Sequence, residues 1–202
     1  MNPYVAMVVA LLSISITCAQ AAGDSAKAQG IVTQVCAACH GIDGNSPLPA
    51  NPSLAGQHPE YLFKQLTEFK SGTRTNAVMT GMVANLSADD MQNLAAYYSA
   101  QIPKQMGAKN KDLVTQGRKI YRGGNAANGL AACAGCHSPN GAGIPAQYPR
   151  LASQHADYVA AQLKAFRTGD RANDPLEMMQ SIAVKLTDKD IAELAEYISG
   201  LH

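Results

Sequence analysis

Residues 36–40 read Cys-Ala-Ala-Cys-His and residues 133–137 read Cys-Ala-Gly-Cys-His, so four of the five cysteines fall in two copies of one pentapeptide. A disulfide has no use for the histidine that follows each pair. A thioredoxin-like redox motif wants a βαβ setting rich in strand formers, and none is visible around either copy. Structural zinc needs four ligands, and Cys-Cys-His leaves each copy one short. What the spacing does suit is covalent attachment of haem. Cys36 and Cys39, or Cys133 and Cys136, supply two thiols for thioether bonds to the vinyl groups, and His40 or His137 comes to lie under the iron as an axial ligand.

The surroundings of the two motifs repeat as well. Residues 36–76 align without a gap to residues 133–173 at an offset of 97, pairing Leu54 with Leu151, Gln57 with Gln154, Tyr61 with Tyr158, Gln65 with Gln162, Phe69 with Phe166 and Arg74 with Arg171. A three-residue insertion in the second copy then shifts the offset to 100, and residues 79–99 pair with 179–199. Such self-similarity over nearly the whole chain predicts two tandem copies of one domain, residues 22–102 and 112–202. The Pro-, Gly- and Lys-containing stretch between them, residues 103–111, reads as a linker.

The pattern within each copy is helical, which predicts an all-α fold. Ser87 and Thr187 stand as N-caps with Asp90 and Asp190 three residues on. Met91, Leu94, Ala95 and Tyr98 then recur at helical spacing, as do Ile191, Leu194, Ala195 and Ile198. A middle helix follows His58-Pro59, presents Tyr61, Leu62, Gln65, Leu66 and Phe69 on its periodic face, and stops at Gly72. Its twin runs from Asp157 to Phe166 and stops at Gly169. Short helices over 27–35 and 112–121 precede the attachment motifs.

An iron held by one histidine needs a sixth ligand or keeps an open site. Methionine is the usual partner in electron-carrying cytochromes, because a soft thioether favours ferrous iron and raises the potential. The candidates are Met79 and Met82 in the first copy, and Met178 and Met179 in the second. Met79 and Met179 each stand seven residues before a leucine, Leu86 or Leu186, whereas Met82 falls opposite Ile182 and Met178 opposite Val78. Two like sites require a ligand present in both copies, which selects Met79 and Met179. Met82, Met91 and Met178 read as packing residues.

The N-terminus is nearly all apolar from Val5 to Ile16 and continues into Ala19-Gln20-Ala21, a small-x-small site. Residues 1–21 read as a secretory signal cleaved after Ala21, although no Lys or Arg precedes the apolar run. An uncleaved anchor is the alternative, and the run falls short of the ~20 residues a spanning helix needs. Cys18 would be discarded with the signal, and Ser15-Ile16-Thr17 before it is a poor lipobox. About 15% of the chain is charged and 47% hydrophobic, which suits a soluble globular protein. Residues 22–102 hold 4 basic and 6 acidic residues, and residues 103–202 hold 12 and 9, so a balance of −2 faces one of +3. That dipole could orient docking to a partner. No basic patch for nucleic acid is present.

The doubled pattern, C-x-x-C-H followed by P-x-L-x-x-Q, Y, Q-L, F, G-x-R, M and a capped terminal helix, resembles the dihaem cytochrome c4 family, periplasmic carriers built from two class I cytochrome c domains. The resemblance covers essentially the whole chain after residue 21. It implies two covalently bound haem c groups with His–Met ligation, and a monomer passing electrons from a quinol-oxidising complex or another cytochrome towards a terminal oxidase. Any association with the membrane would run through such a partner. It also implies that a proline carbonyl twelve residues past each haem histidine, Pro52 or Pro149, accepts that imidazole's other proton and so sets ring orientation and basicity. Arg74 and Arg171, repeated beside the glycine stops, are open to pairing with haem propionates or to capping the helix end. His58 and His155 read as helix-start or interface residues, and His202 as a solvated terminus. A dihaem enzyme, such as a peroxidase or a sulfur-compound dehydrogenase, is the alternative from another class, as is a haem subunit of a larger redox complex. Either enzyme would need one iron with a displaceable sixth ligand.

Overall fold

Each repeat is organised by a helix that leads to its attachment motif and crosses the helix that closes the repeat. The computed structural model describes residues 23–202; the signal segment and Cys18 lie outside the described residues. In the first repeat, α1 (Ser25–Ile31) passes through a π turn (Val32–Cys36) directly into α2 (Ala37–His40). It is followed by α3 (Pro59–Ser71), α4 (Ala77–Val83) and α5 (Ala88–Ser99). The second repeat holds α6 (Lys111–Gly123), α7 (Ala134–His137), α8 (Ala156–Thr168), α9 (Met178–Ala183) and α10 (Asp188–Ser199). The described residues contain no strand beyond two isolated bridges, Asn125 with Leu130 and Ile144 with Tyr148.

Local chemistry accounts for the helix ends. Ser87 and Thr187 each form a complete capping box with Asp90 and Asp190, satisfying N–H groups that have no partner inside the helix. Gly72 and Gly169 end α3 and α8 at φ 82°, a left-handed conformation that only glycine adopts without cost.

The apolar faces read from the periodicity make two separate cores. Leu94, Ala95 and Tyr98 of α5 close on Ala28, Val32 and Leu62. Ile191, Leu194, Ala195 and Ile198 of α10 close on Ile120, Tyr121, Leu130 and Val159. Each fully buried Leu or Ile contributes about 1.5–3 kcal/mol relative to leaving it exposed. α6 crosses α10 at closest approach through glycine, since a Cβ on Gly117 would lie 2.0 Å from the Glu193 carbonyl oxygen; in the first repeat the tight contact is made just before α1, where a Cβ on Gly23 would lie 2.1 Å from that of Gln92.

The two repeats differ in how they enter their motifs. α1 was expected to stop short of Cys36 but runs through it, because the π turn takes up an extra residue while the helix continues; each residue turns the chain about 100°, so the wider turn re-aims Cys36 to His40. Thr33, inside that turn, donates its hydroxyl to the Gln29 carbonyl at 2.8 Å, a bond that competes with the regular ladder. In the second repeat, α6 stops at Gly123 and a loop separates it from α7. The insertion forms a 3₁₀ turn (Pro175–Glu177) with Leu176 and Glu177 at φ 56° and 55°. Residues 103–111 are pinned at both ends: Lys104 N–H donates to Asn45 Oδ1, and Lys109 and Asn110 N–H groups donate to Glu196 Oε2. Among the described residues, no helix is long and apolar enough to cross a membrane.

Candidate haem sites and the surface between them

α2 and α7 bring each histidine into the interior, where His40 and His137 are 8% and 6% exposed. His40 Nδ1 lies 2.9 Å from the Pro52 carbonyl oxygen, and His137 Nδ1 lies 3.0 Å from that of Pro149. A carbonyl can only accept, so both Nδ1 atoms carry the proton and the lone pair sits on Nε2, free to bind a metal. Burial lowers both imidazole pKa values from 6.5, so the neutral form that offers this lone pair prevails at neutral pH.

The residue after each histidine turns the chain back at positive φ. In the first repeat it is Gly41 at φ 76°. In the second it is Ser138 at φ 67°, where a side chain is strained. The strain is held by Tyr121, whose hydroxyl donates to the Ser138 carbonyl at 2.8 Å, and by the Ser138 hydroxyl, which donates to Gly143 O at 2.9 Å. Cys36, Cys39, Cys133 and Cys136 form no disulfide. Burial raises the Cys36 thiol and pushes Cys133 up to about 11.

This donor set fits haem: two thiols three positions apart, and an adjacent imidazole with its metal-binding nitrogen free. Arg150 Nε, beside Pro149, is buried without a protein partner, a donor that a haem carboxylate would satisfy.

The Cytochrome c family profile matches residues 25–100 and 114–202. Cytochrome c4 of Azotobacter vinelandii is 52% identical over 98% of this chain and 99% of its own length, and that of Pseudomonas aeruginosa 51% identical over 95% and 96%. The chain belongs to the cytochrome c4 family. A crystal structure of reduced cytochrome c4 from Pseudomonas stutzeri superposes with a TM-score of 0.86 at 47% identity, over 90% of this chain and all of that one. More distant is a protein described as the thiosulfate dehydrogenase electron acceptor of Thiomonas intermedia, 37% identical over 82% of this chain and 77% of its own. As a cytochrome c4, the protein is a dihaem electron-transfer cytochrome with two covalently attached haem c groups, with which the two C-x-x-C-H pairs, Cys36/Cys39 and Cys133/Cys136, are consistent.

Met79 lies on α4, partly buried, with its N–H bonded to Asn76 Oδ1 at 3.0 Å. Met179 lies on α9, partly buried, with its N–H bonded to Asp174 Oδ2 at 2.6 Å. Met82, on the same helix as Met79, is 47% exposed.

Arg74 and Arg171 are the correction. In this cytochrome c4 they neither cap a helix end nor stand free for a propionate, but cross between the repeats. Arg74 stacks on Phe69 at 4.5 Å and donates to Gln65 at 2.6 Å, Gln162 at 2.8 Å and the Tyr158 hydroxyl at 3.0 Å. Arg171 stacks on Phe166 at 4.4 Å and donates to Gln162, Gln65, Asn173 and the Tyr61 hydroxyl. A buried guanidinium needs acceptors, and here each arginine's own repeat and the opposite one supply them together. His58 and His155 lie on the same surface: His58 Nε2 is 3.0 Å from Ala142 O, and His155 Nε2 is 2.9 Å from Ser46 O. Sequence reasoning missed Gln57 and Gln154, which join them; a buried polar residue kept at the same place in both repeats was the available signal.

Proposed function

We propose that this cytochrome c4 shuttles electrons in the periplasm, after cleavage behind Ala21, as a monomer that accepts them from a quinol-oxidising complex or another cytochrome and passes them towards a terminal oxidase. His40 with Met79 and His137 with Met179 are the axial pairs, and residues 22–102 and 112–202 are the two haem domains. The observation that carries this reading is the same in both repeats: a neutral, buried imidazole whose Nδ1–H is held by a proline carbonyl twelve residues on.

The haem, when bound, supplies an iron that cycles between ferrous and ferric. The chain contributes the tuning. The bond to Pro52 or Pro149 fixes ring orientation and makes the imidazole a stronger donor, which favours ferric iron, while thioether ligation and burial favour ferrous iron. Two strong ligands on each iron leave no position for substrate, which separates a carrier from an enzyme.

A carbon monoxide difference spectrum of the reduced holoprotein, after two haems per chain are confirmed, tests this. No spectral change is expected; binding at one haem would mark a displaceable ligand and move the dihaem-enzyme reading ahead. A second carrier role, accepting electrons from a sulfur-compound dehydrogenase, is favoured by the likeness to the Thiomonas intermedia electron acceptor. Rapid reduction of the protein by a purified thiosulfate dehydrogenase with thiosulfate would establish it.

A further inference from the structure

Gln57 and Gln154, 7% and 8% exposed, make matching contacts with the opposite repeat. Gln154 Oε1 accepts from Ser53 N–H at 2.9 Å, and its Nε2 donates to Ser53 O at 2.9 Å. Gln57 Oε1 accepts from Arg150 N–H at 2.8 Å, and its Nε2 donates to Arg150 O at 2.9 Å. Each side-chain amide therefore holds both backbone polar groups of one residue, as a neighbouring strand would. Neither glutamine is free to drift, because each Oε1 also accepts the N–H of the next residue, His58 or His155, at 3.0 Å.

The residues they hold are the informative part. Ser53 follows Pro52, the acceptor of His40 Nδ1, and Arg150 follows Pro149, the acceptor of His137 Nδ1. The Pro52 carbonyl carbon is bonded to the Ser53 nitrogen, so fixing the Ser53 N–H fixes the peptide plane that contains the acceptor oxygen. The same holds for Pro149 and Arg150. His155 strengthens the pattern on one side: it contacts Ser46 O, and the Ser46 hydroxyl donates to the Cys39 carbonyl at 2.8 Å.

We propose that Gln57 and Gln154 are crossed positioning residues: Gln154 of the second repeat sets the hydrogen bond of His40 and so the potential of the first haem, and Gln57 of the first repeat sets that of His137 and the second haem. The proposal rests on the axial reading of His40 and His137. Weakening the Nδ1–H···O=C bond makes the imidazole a poorer donor and ferric iron less stable, so loss of a clamp raises the potential of the haem opposite.

The test is a redox titration of the holoprotein followed by NMR of backbone amides. Amides of residues 36–40 report the first haem and those of 133–137 the second, an assignment that depends only on covalent attachment. Gln57→Met should raise the midpoint potential of the second haem and leave the first nearly unchanged; Gln154→Met should do the reverse. Shifts confined to the haem of the substituted repeat, equal shifts at both haems, or no shift in either folded variant would overturn the proposal. Should a methionine variant not yield holoprotein, Gln57→Leu and Gln154→Leu, which remove the acceptor and the donor without adding charge, are read by the same criterion. The axial reading of the histidines is checked separately in the oxidised wild-type protein, where ring protons of His40 and His137 must show paramagnetically shifted resonances, so its failure is seen whatever the glutamine variants do.

Discussion

The carboxylate of Asp174 accepts a hydrogen bond from the backbone N–H of Met179 at 2.6 Å. It also takes the N–H of Gln180 at 3.0 Å, so it caps α9 from the far side of the insertion. Asn76 does the same for Met79 directly. The three extra residues are thereby looped out in a 3₁₀ turn, with Leu176 94% exposed, and the register of the helix beyond them matches that of α4.

Met179→Ala should therefore let carbon monoxide bind one of the two reduced haems, and Met178→Ala should leave the spectrum as in the wild type. Binding in the Met178 variant instead would transfer the ligand to that residue.

Gly117→Ala should destabilise the second repeat by about 1–3 kcal/mol, the usual cost of overpacking, because the new methyl would meet the Glu193 backbone rather than a side chain that can move. Gly123→Ala, with open space around it, is the control. Denaturant unfolding of the two holoproteins would separate them.

Removing Arg171 strips several charge-assisted bonds from the surface between the repeats, taking away the donor to the Tyr61 hydroxyl and leaving Gln65 with Arg74 and Asn173. A loss on the order of 3 kcal/mol is expected for Arg171→Ala, lowering the melting temperature by roughly 6–12 °C for a chain of this size. Arg171→Lys should recover little, since an ammonium cannot reproduce the planar fork. Calorimetry reads both, and separation into two transitions would show that the repeats have come apart.

The Asp90 carboxylate is held below the usual range by the Ser87 hydroxyl and backbone N–H, which it accepts at 2.6 and 2.9 Å. Its folded pKa is depressed, so its contribution is complete above about pH 4, the unfolded value, and disappears as the pH falls through the lower folded value. Amide exchange at the start of α5 should accelerate in acid over that window. Asp90→Asn should flatten the dependence, and Ser87→Ala should cost about 1 kcal/mol at neutral pH.

Much of the molecule was legible in the sequence because its signals are local. The C-x-x-C-H pairs specify haem attachment within five residues; the boxes at Ser87 and Thr187 close over three; the faces led by Met91 and Ile191 follow from one helical turn. What only the tertiary structure decided involves partners far apart in the chain. Gln57 meets Arg150 and Gln154 meets Ser53 across 93 and 101 residues, and Arg74 reaches Gln162 across 88. The repeat marked these residues as shared without saying what they face, because an arginine beside a haem and one between two domains leave the same trace in sequence. Each guanidinium's own repeat supplies only part of its acceptors; the rest, Tyr158 and Gln162 for Arg74 and Tyr61 and Gln65 for Arg171, come from the opposite repeat, and only the docking of the two repeats brings them into place.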